Sequence, residues 1–244
     1  MKTWIAFWNI LKKDVRTYYL KPPNISWGII FPVSWTLMQL IRAPGKIEII
    51  ELLPGLMAMS VLFGTTSMLA VTITFEKKGR SFDRLLLAPI SLNMMVLAKL
   101  SGAIIFGIIN AFVPAIFAAF FIDLSEVNWV IAFAAIFLIA ATSTLIGLFI
   151  AVSAKEVFEA QTFSNFFRFP MLFLCGLFIP INQLPAPLRL ISFCLPLTYG
   201  TDMLKGAIMG NPALNIFLNI LALLTFTLLL FHLCHKNIER KWIL

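Results

Sequence analysis

Long runs without ionisable side chains alternate with short polar segments along the whole chain. Leu52–Thr74 and Leu100–Ile122 contain no Asp, Glu, Lys, Arg or His, and comparable apolar runs occupy Ile25–Ile41, Trp129–Ser153, Phe163–Ile181 and Leu214–Phe231. Crossing ~30 Å of hydrocarbon takes about 20 apolar residues in a helix. The pattern therefore predicts an all-α integral membrane protein of six transmembrane helices, with one domain over residues 1–244. The fifth run holds a single charge, Arg168, near its start, where a long side chain is expected to reach the interface.

The polar segments carry patterns of their own. In residues 1–24, Trp4, Phe7, Trp8, Leu11, Val15 and Tyr18 share one helical face while Lys12, Lys13 and Arg16 lie largely off it. Lys21-Pro22-Pro23 then ends the element. A basic amphipathic helix with tryptophans reads as lying in the membrane surface, either as a general anchor or as a lever on the first span. A second short helix is expected within 76–88. Ser81 is placed to cap it, Asp83 complements the dipole of its first turn, Phe82, Leu85 and Leu86 form an apolar face, and Pro89 stops it. This helix either rests on lipid headgroups or docks into a soluble partner, and the residues alone leave both open.

Composition narrows the class. The 244 residues are 60% hydrophobic and 12% charged, where a soluble domain is nearer one quarter charged, and mean hydropathy is +0.94. The net charge of +8 does not point to nucleic acid, because basic residues of membrane proteins gather in cytoplasmic loops. Fifteen Lys and Arg fall before the first span, in the 74–100 stretch, around the fourth loop and in the tail, against four on the opposite side. Both termini are therefore expected in the cytoplasm of a multi-pass protein of the plasma or inner membrane. Cys175, Cys194 and Cys234 have no C-x-x-C or metal-ligand spacing and read as small buried hydrophobes. No cleavable signal peptide is evident.

The sequence has no Gly-x-x-x-x-Gly-Lys-Ser/Thr, so it lacks a P-loop of its own, and its spans carry no carboxylate or histidine relay for protons or sodium. A transporter of this composition borrows its energy from a partner. The competing class is an intramembrane enzyme acting on lipid or peptide, which needs a nucleophile and base, paired carboxylates or a metal. His232 and His235 stand three residues apart among Lys236, Arg240 and Lys241, a setting for interfacial histidines. No catalytic residue, metal ligand or cofactor is expected in this chain.

Two stretches carry a family resemblance. "EKKGRSFDRLLLAPIS" resembles the cytoplasmic loop of type-2 ABC exporter permeases through Glu76, Asp83, Arg84, Leu85, Leu86 and Pro89, with Arg80-Ser81 standing where the family usually has Gly-Thr and the glycine one place early at Gly79. "FLCGLFIPINQLPAPLRLISFCLPLTYGTDMLKGAIMG" resembles the family's signature through Gly176, Phe178, Pro180, Leu184, Pro185, Pro196, Leu197, Thr198, Tyr199, Asp202, Leu204, Lys205 and Gly210. The resemblance implies a permease whose 76–88 segment couples to a separate ATP-binding cassette ATPase through Glu76, Arg80, Phe82, Asp83, Arg84 and Leu85. It also implies short re-entrant helices over 182–205 before the last span, and pairing with a second permease copy or paralogue. The prolines of that stretch agree with it, since broken backbone at membrane depth survives only where protein or a water-filled cavity satisfies it. The cargo implied is a hydrophobic or amphipathic drug, lipid or glycolipid.

Overall fold

A computed structural model describes residues 2–19, 21, 26, 30–42, 49–87, 90–238 and 240–241. Among them every regular element is helical. The helices are α1 (Lys2–Asp14), α2 (Phe31–Arg42), α3 (Ile49–Lys78), α4 (Ser81–Leu86), α5 (Leu92–Ala118), α6 (Trp129–Ser153), α7 (Val157–Leu174), α8 (Ala186–Phe193), α9 (Pro196–Met209) and α10 (Ile216–Ile238), with a π-helical turn at Val15–Tyr19 and a 3₁₀ turn at Ile181–Gln183. Four of them, α3, α5, α6 and α10, are long and apolar enough to cross a membrane. Two of the six expected spans are shorter among the described residues: α2 has 12 residues and α7 has 18, with Glu159 and Arg168 inside it.

The hub is α3. It packs against α2, α4, α5, α6, α7 and α9, and its apolar residues run round the whole helix rather than along one stripe, as a helix buried on every side requires. Leu53, Met57, Val61 and Phe63 join Ile136, Ile139, Leu197 and Met203 in a core occupying the middle of the bundle and the α8–α9 end. Leu69 and Ile73 join Ile10, Phe82, Met95, Leu145 and Leu148 in a second core at the α4 end. Helices α3 and α6 approach backbone to backbone. A Cβ on Gly147 would run into the backbone carbonyl of Thr66, so only glycine permits this approach, which is how helices gain packing where lipid is as apolar as leucine. Ser91 caps α5 by accepting from Met94 N at 3.4 Å, and Asn128 caps α6 by accepting from Ile131 N at 3.2 Å.

The structure corrects several expected boundaries. The third run begins not at Leu100 but at Leu92, which brings Lys99 into the helix and out of the loop. The fifth begins at Val157 instead of Phe163. Arg168 is thus not at an interface: it lies roughly 16 Å along α7 at 1.5 Å per residue and is 0% exposed. Helix α1 also has an inward side: Ile10 and Asp14 are buried where it packs on α5, while Trp4 and Trp8 of the expected amphipathic face stay exposed. Of the three cysteines, Cys175 and Cys234 are buried as expected, whereas Cys194 is exposed at the end of α8. The Pro22-Pro23 stop falls outside the described residues.

Replacing Gly147 with valine is expected to force α3 and α6 apart, at a cost of about 1–3 kcal/mol typical of overpacking. Gly55→Ala meets only the flexible Leu177 side chain, at 2.8 Å, and should cost less. Thermal unfolding of both variants in nanodiscs tests the order.

Candidate functional site

Two regions gather polar chemistry, one at each end of α3. At the α4 end, Lys13 and Asp14 from α1, Glu76 from α3 and Lys99 from α5 form a closed square of charges. Lys99 Nζ sits 3.1 Å from Asp14 Oδ2 and 2.6 Å from Glu76 Oε2, while Lys13 Nζ sits 3.0 Å from Asp14 Oδ1 and also contacts Glu76. Asp14, Glu76 and Lys99 are fully enclosed; Lys13 forms the open edge with 38% of its side chain exposed. Two cations meet two anions, so the square is neutral, as charges withdrawn from water must be. Burial opposes the charge on Lys13, but Asp14 and Glu76 outweigh it and hold the ammonium above the ordinary lysine value. A raised lysine contributes fully at neutral pH, and that contribution is lost only as strongly alkaline solution strips the proton.

The square clamps the point from which α4 leaves α3. The turn between them needs left-handed backbone at Arg80, whose φ is 53°. This is where the resembled loop carries glycine, and the exposed Arg80 occupies it against the usual preference. Ser81 does not cap α4 as expected. It is the first helical residue, and its hydroxyl donates to the Glu76 carbonyl at 3.2 Å. Phe82 is 3% exposed and packs in the core of this same chain, with Leu85 half-buried beside it. Phe82 therefore holds α4 to the bundle instead of projecting from it. Arg84 and Leu87 face outward, Leu87 at 86% exposed. The side chains of Asp83 and Leu86, and residues Ala88 and Pro89, lie outside the described residues.

At the opposite end the chain between α7 and α10 folds into a hairpin of short helices. The signature residues satisfy backbone that the prolines break. Gly176 takes φ 79°, a left-handed conformation, and its carbonyl accepts from Lys205 Nζ at 2.5 Å. Thr201 donates to the Cys175 carbonyl at 2.8 Å, Ser192 to that of Leu174 at 2.6 Å, Thr198 to that of Ser192 at 2.5 Å and Tyr199 to that of Phe193 at 2.8 Å. Pro185 and Pro196 stand at the starts of α8 and α9, where a missing N–H costs nothing. Pro180 leads the 3₁₀ turn and its carbonyl accepts from Gln183 N at 2.9 Å. Phe178 lies tilted against Trp35 and Phe173 with ring centroids 5.1 and 6.0 Å away.

Asp202 fastens the hairpin to the last helix. Its carboxylate accepts from Ala213 N at 2.7 Å, Leu214 N at 2.9 Å and Asn219 Nδ2 at 2.8 Å. Helix α8 lies on the outside, while α9 is buried against α3 and α6. A cavity of about 280 Å³ opens beside Gly176, Asn182, Thr201, Asp202 and Lys205. A larger one of about 490 Å³ lies between α5, α6 and α10 at the α4 end, where Leu97, Leu148, Phe231 and His235 line it. Among the described residues no group of three His, Cys, Asp or Glu is gathered that would hold a metal ion.

The two signatures thus close on themselves at opposite ends of one bundle, with Gly176, Thr198, Tyr199, Asp202 and Lys205 spending polar or conformational capacity on backbone. A family model for the ABC-2 type transporter matches residues 5–209, most of the chain and both regions. The chain belongs to the ABC-2 type transporter family. Its relatives include the inner membrane transport permease YadH of Escherichia coli K12, 22% identical over 97% of this chain and 96% of that protein. Nodulation protein J of Rhizobium meliloti is 26% identical over 84% of this chain and 78% of its own length, and that of Bradyrhizobium diazoefficiens is 27% identical over 78% and 73%. As an ABC-2 permease the chain is a multi-pass membrane protein and a transporter subunit.

Sequence reasoning missed Asp14, Lys99, Ser192, Thr201 and Asn219 as site residues. Asp14 carried a signal, being an acid within a basic amphipathic helix.

The charge square makes a sharp mutational prediction. Lys99→Met leaves two carboxylates against Lys13 alone and should cost about 3–5 kcal/mol, as breaking a buried pair does. Adding Glu76→Gln restores neutrality, so the double variant should unfold at a higher temperature than Lys99→Met. Thermal melts of the three variants, including Glu76→Gln alone, test this non-additivity.

Proposed function

We propose that this chain is the transmembrane subunit of an ATP-driven exporter, working with a separate ATP-binding cassette ATPase and paired with a second permease copy or paralogue. The observation that carries the reading is α4: a six-residue helix mounted by the buried charge square on the end of the hub helix, with Arg80, Arg84 and Leu87 turned outward. A soluble ATPase docking there would push on α3, which touches most of the bundle. The missing P-loop motif fits an external motor. In this reading α2 and α7 complete six crossings, both termini and α4 face the cytoplasm, and the 182–205 hairpin re-enters from the outer side. The cargo is an amphipathic or hydrophobic molecule of drug, lipid or glycolipid type, moving between two permeases.

The buried Phe82 changes which residues of the coupling set meet the ATPase. Leu87, Arg80 and Arg84 supply the contact; Glu76, Phe82 and Leu85 hold the helix in place, and Asp83 remains a rim candidate. If Leu87 is the apolar anchor, Leu87→Asp should weaken retention of the ATPase by at least thirtyfold, corresponding to about 2–4 kcal/mol. Lys78→Ala should change it less than about twofold. A helix resting on headgroups gives the reverse order, since each basic residue near anionic lipid is worth about 1 kcal/mol. Co-purification with candidate ATP-binding cassette ATPases co-expressed with this chain decides the matter, and a chain that never retains one refutes the exporter reading.

A further inference from the structure

Arg168 is the largest fully buried side chain among the described residues, and no carboxylate among them pairs with it. Its Nε donates to the Ser164 carbonyl one turn back, at 3.2 Å, and its guanidinium lies over the Phe63 ring, Cζ 4.7 Å from the centroid. Nη1 and Nη2 have no hydrogen-bond partner among the described residues. The buried acids among the described residues, and the one acid inside α7 with Arg168, are engaged elsewhere. Asp14 and Glu76 answer Lys13 and Lys99 in the square, Asp202 accepts three amide hydrogens, and Glu159 accepts from Lys155 N nine residues before Arg168. No described crossing helix carries a carboxylate near its middle, so a second copy of this chain would bring none to this depth. A lone buried cation is costly, and its fork of donors fits the two oxygens of a carboxylate or phosphate.

The surroundings suit the rest of such a ligand. Phe63 contacts Phe31 at 5.0 Å, Phe31 contacts Trp35 at 6.4 Å, and Trp35 contacts Phe178 of the hairpin at 5.1 Å. This row of rings leads from Arg168 toward the hairpin end. Two further buried groups have no hydrogen-bond partner among the described residues: Trp35 Nε1, within the row, and Ser60 Oγ, one turn from Phe63 along α3. The indole, like the guanidinium, can only donate, so the waiting chemistry is that of an acceptor. On α7 itself, Phe169 is 40% exposed and stands edge-on to Phe63 at 6.2 Å, which marks the open flank of the region.

We propose that Arg168 binds the phosphate or carboxylate group of an anionic amphiphile at mid-membrane depth, with Phe63, Phe31 and Trp35 lying along its apolar part. This rests on the transport reading and deepens it by giving the cargo, or a bilayer lipid in the same place, a negative head. The test uses the full chain in phosphatidylcholine nanodiscs, with dodecyl phosphate and uncharged dodecyl maltoside as probes and tryptophan fluorescence as readout. Wild type should bind dodecyl phosphate at least tenfold more tightly than the maltoside. Arg168→Gln should lose that preference while keeping its maltoside affinity, and Arg168→Lys should keep part of it. Competition by phosphatidylglycerol in the disc would assign the anion to a lipid headgroup; its failure to compete would assign it to a free amphiphile, and the site stands in both cases. Equal preference in wild type and Arg168→Gln overturns the proposal. So does an Arg168→Met variant that melts well below wild type in the absence of probe, because the guanidinium would then already have a partner in the assembly. The ATPase takes no part in these measurements, so failure of the exporter reading leaves their outcome legible.

Discussion

Two ammonium groups and two carboxylates share one site where α1, α3 and α5 meet, closed except at Lys13, and the geometry of the α4 end follows from it. None of Asp14, Glu76 or Lys99 is tolerable alone at the edge of hydrocarbon, and each becomes so only when the other elements stand in one register. Hydrophobic contact between α1 and α5 would allow sliding; a square of charges does not. The clamp therefore acts through specificity more than through net stability. It fixes where the amphipathic helix lies, and it fixes the Glu76 backbone to which Ser81 donates as α4 begins.

The other end solves a different problem with different groups. There the backbone itself is broken by Pro180, Pro185, Pro187 and Pro196, and the orphans are carbonyls rather than charged side chains. Hydroxyls of Ser192, Thr198, Tyr199 and Thr201, with the Lys205 ammonium, supply the donors, while the Asp202 carboxylate takes the free amides at the start of the last segment. Hydrogen bonds satisfied this way let irregular chain persist against α3 and α6. Between the two ends, the Gly147 contact with the Thr66 carbonyl leaves no slack.

What could be read from the sequence divides along a physical line. Hydropathy reports the solvent of a segment, so the apolar runs, the helical class and the two polar elements were legible. It does not report partners. Lys99 counted as one more loop cation because the run after it is uncharged, yet the helix starts seven residues earlier and buries it. Phe82 was legible as part of an apolar face, but a face only says that something covers it. Here the covering surface is Leu69, Ile73 and Met95 of the same chain. Arg168 was misplaced for the same reason as Lys99: an apolar window began after Glu159, whereas α7 begins before it. The signature residues were legible through resemblance alone. Their donors and acceptors became plain only when Thr201 and Cys175, 26 positions apart, were seen in contact.

Buried charge divides the molecule into two kinds of site. Lys99 is enclosed and answered, so its neighbourhood is finished. Arg168 is enclosed and unanswered by hydrogen bonds at its two terminal amines, so its neighbourhood has capacity left. Both involve α3, which supplies Phe63 under the guanidinium and Glu76 to the square, thirteen positions or roughly 20 Å apart along one uninterrupted helix. A buried cation that served stability alone would be expected to be paired, as Lys99 is in the square. Leaving it unpaired is destabilising and serves a molecule that arrives and leaves. If that molecule is the cargo and the proposed ATPase docks at α4, then both meet the same rigid element, one at its middle and one at its end. No separate relay between them is then required.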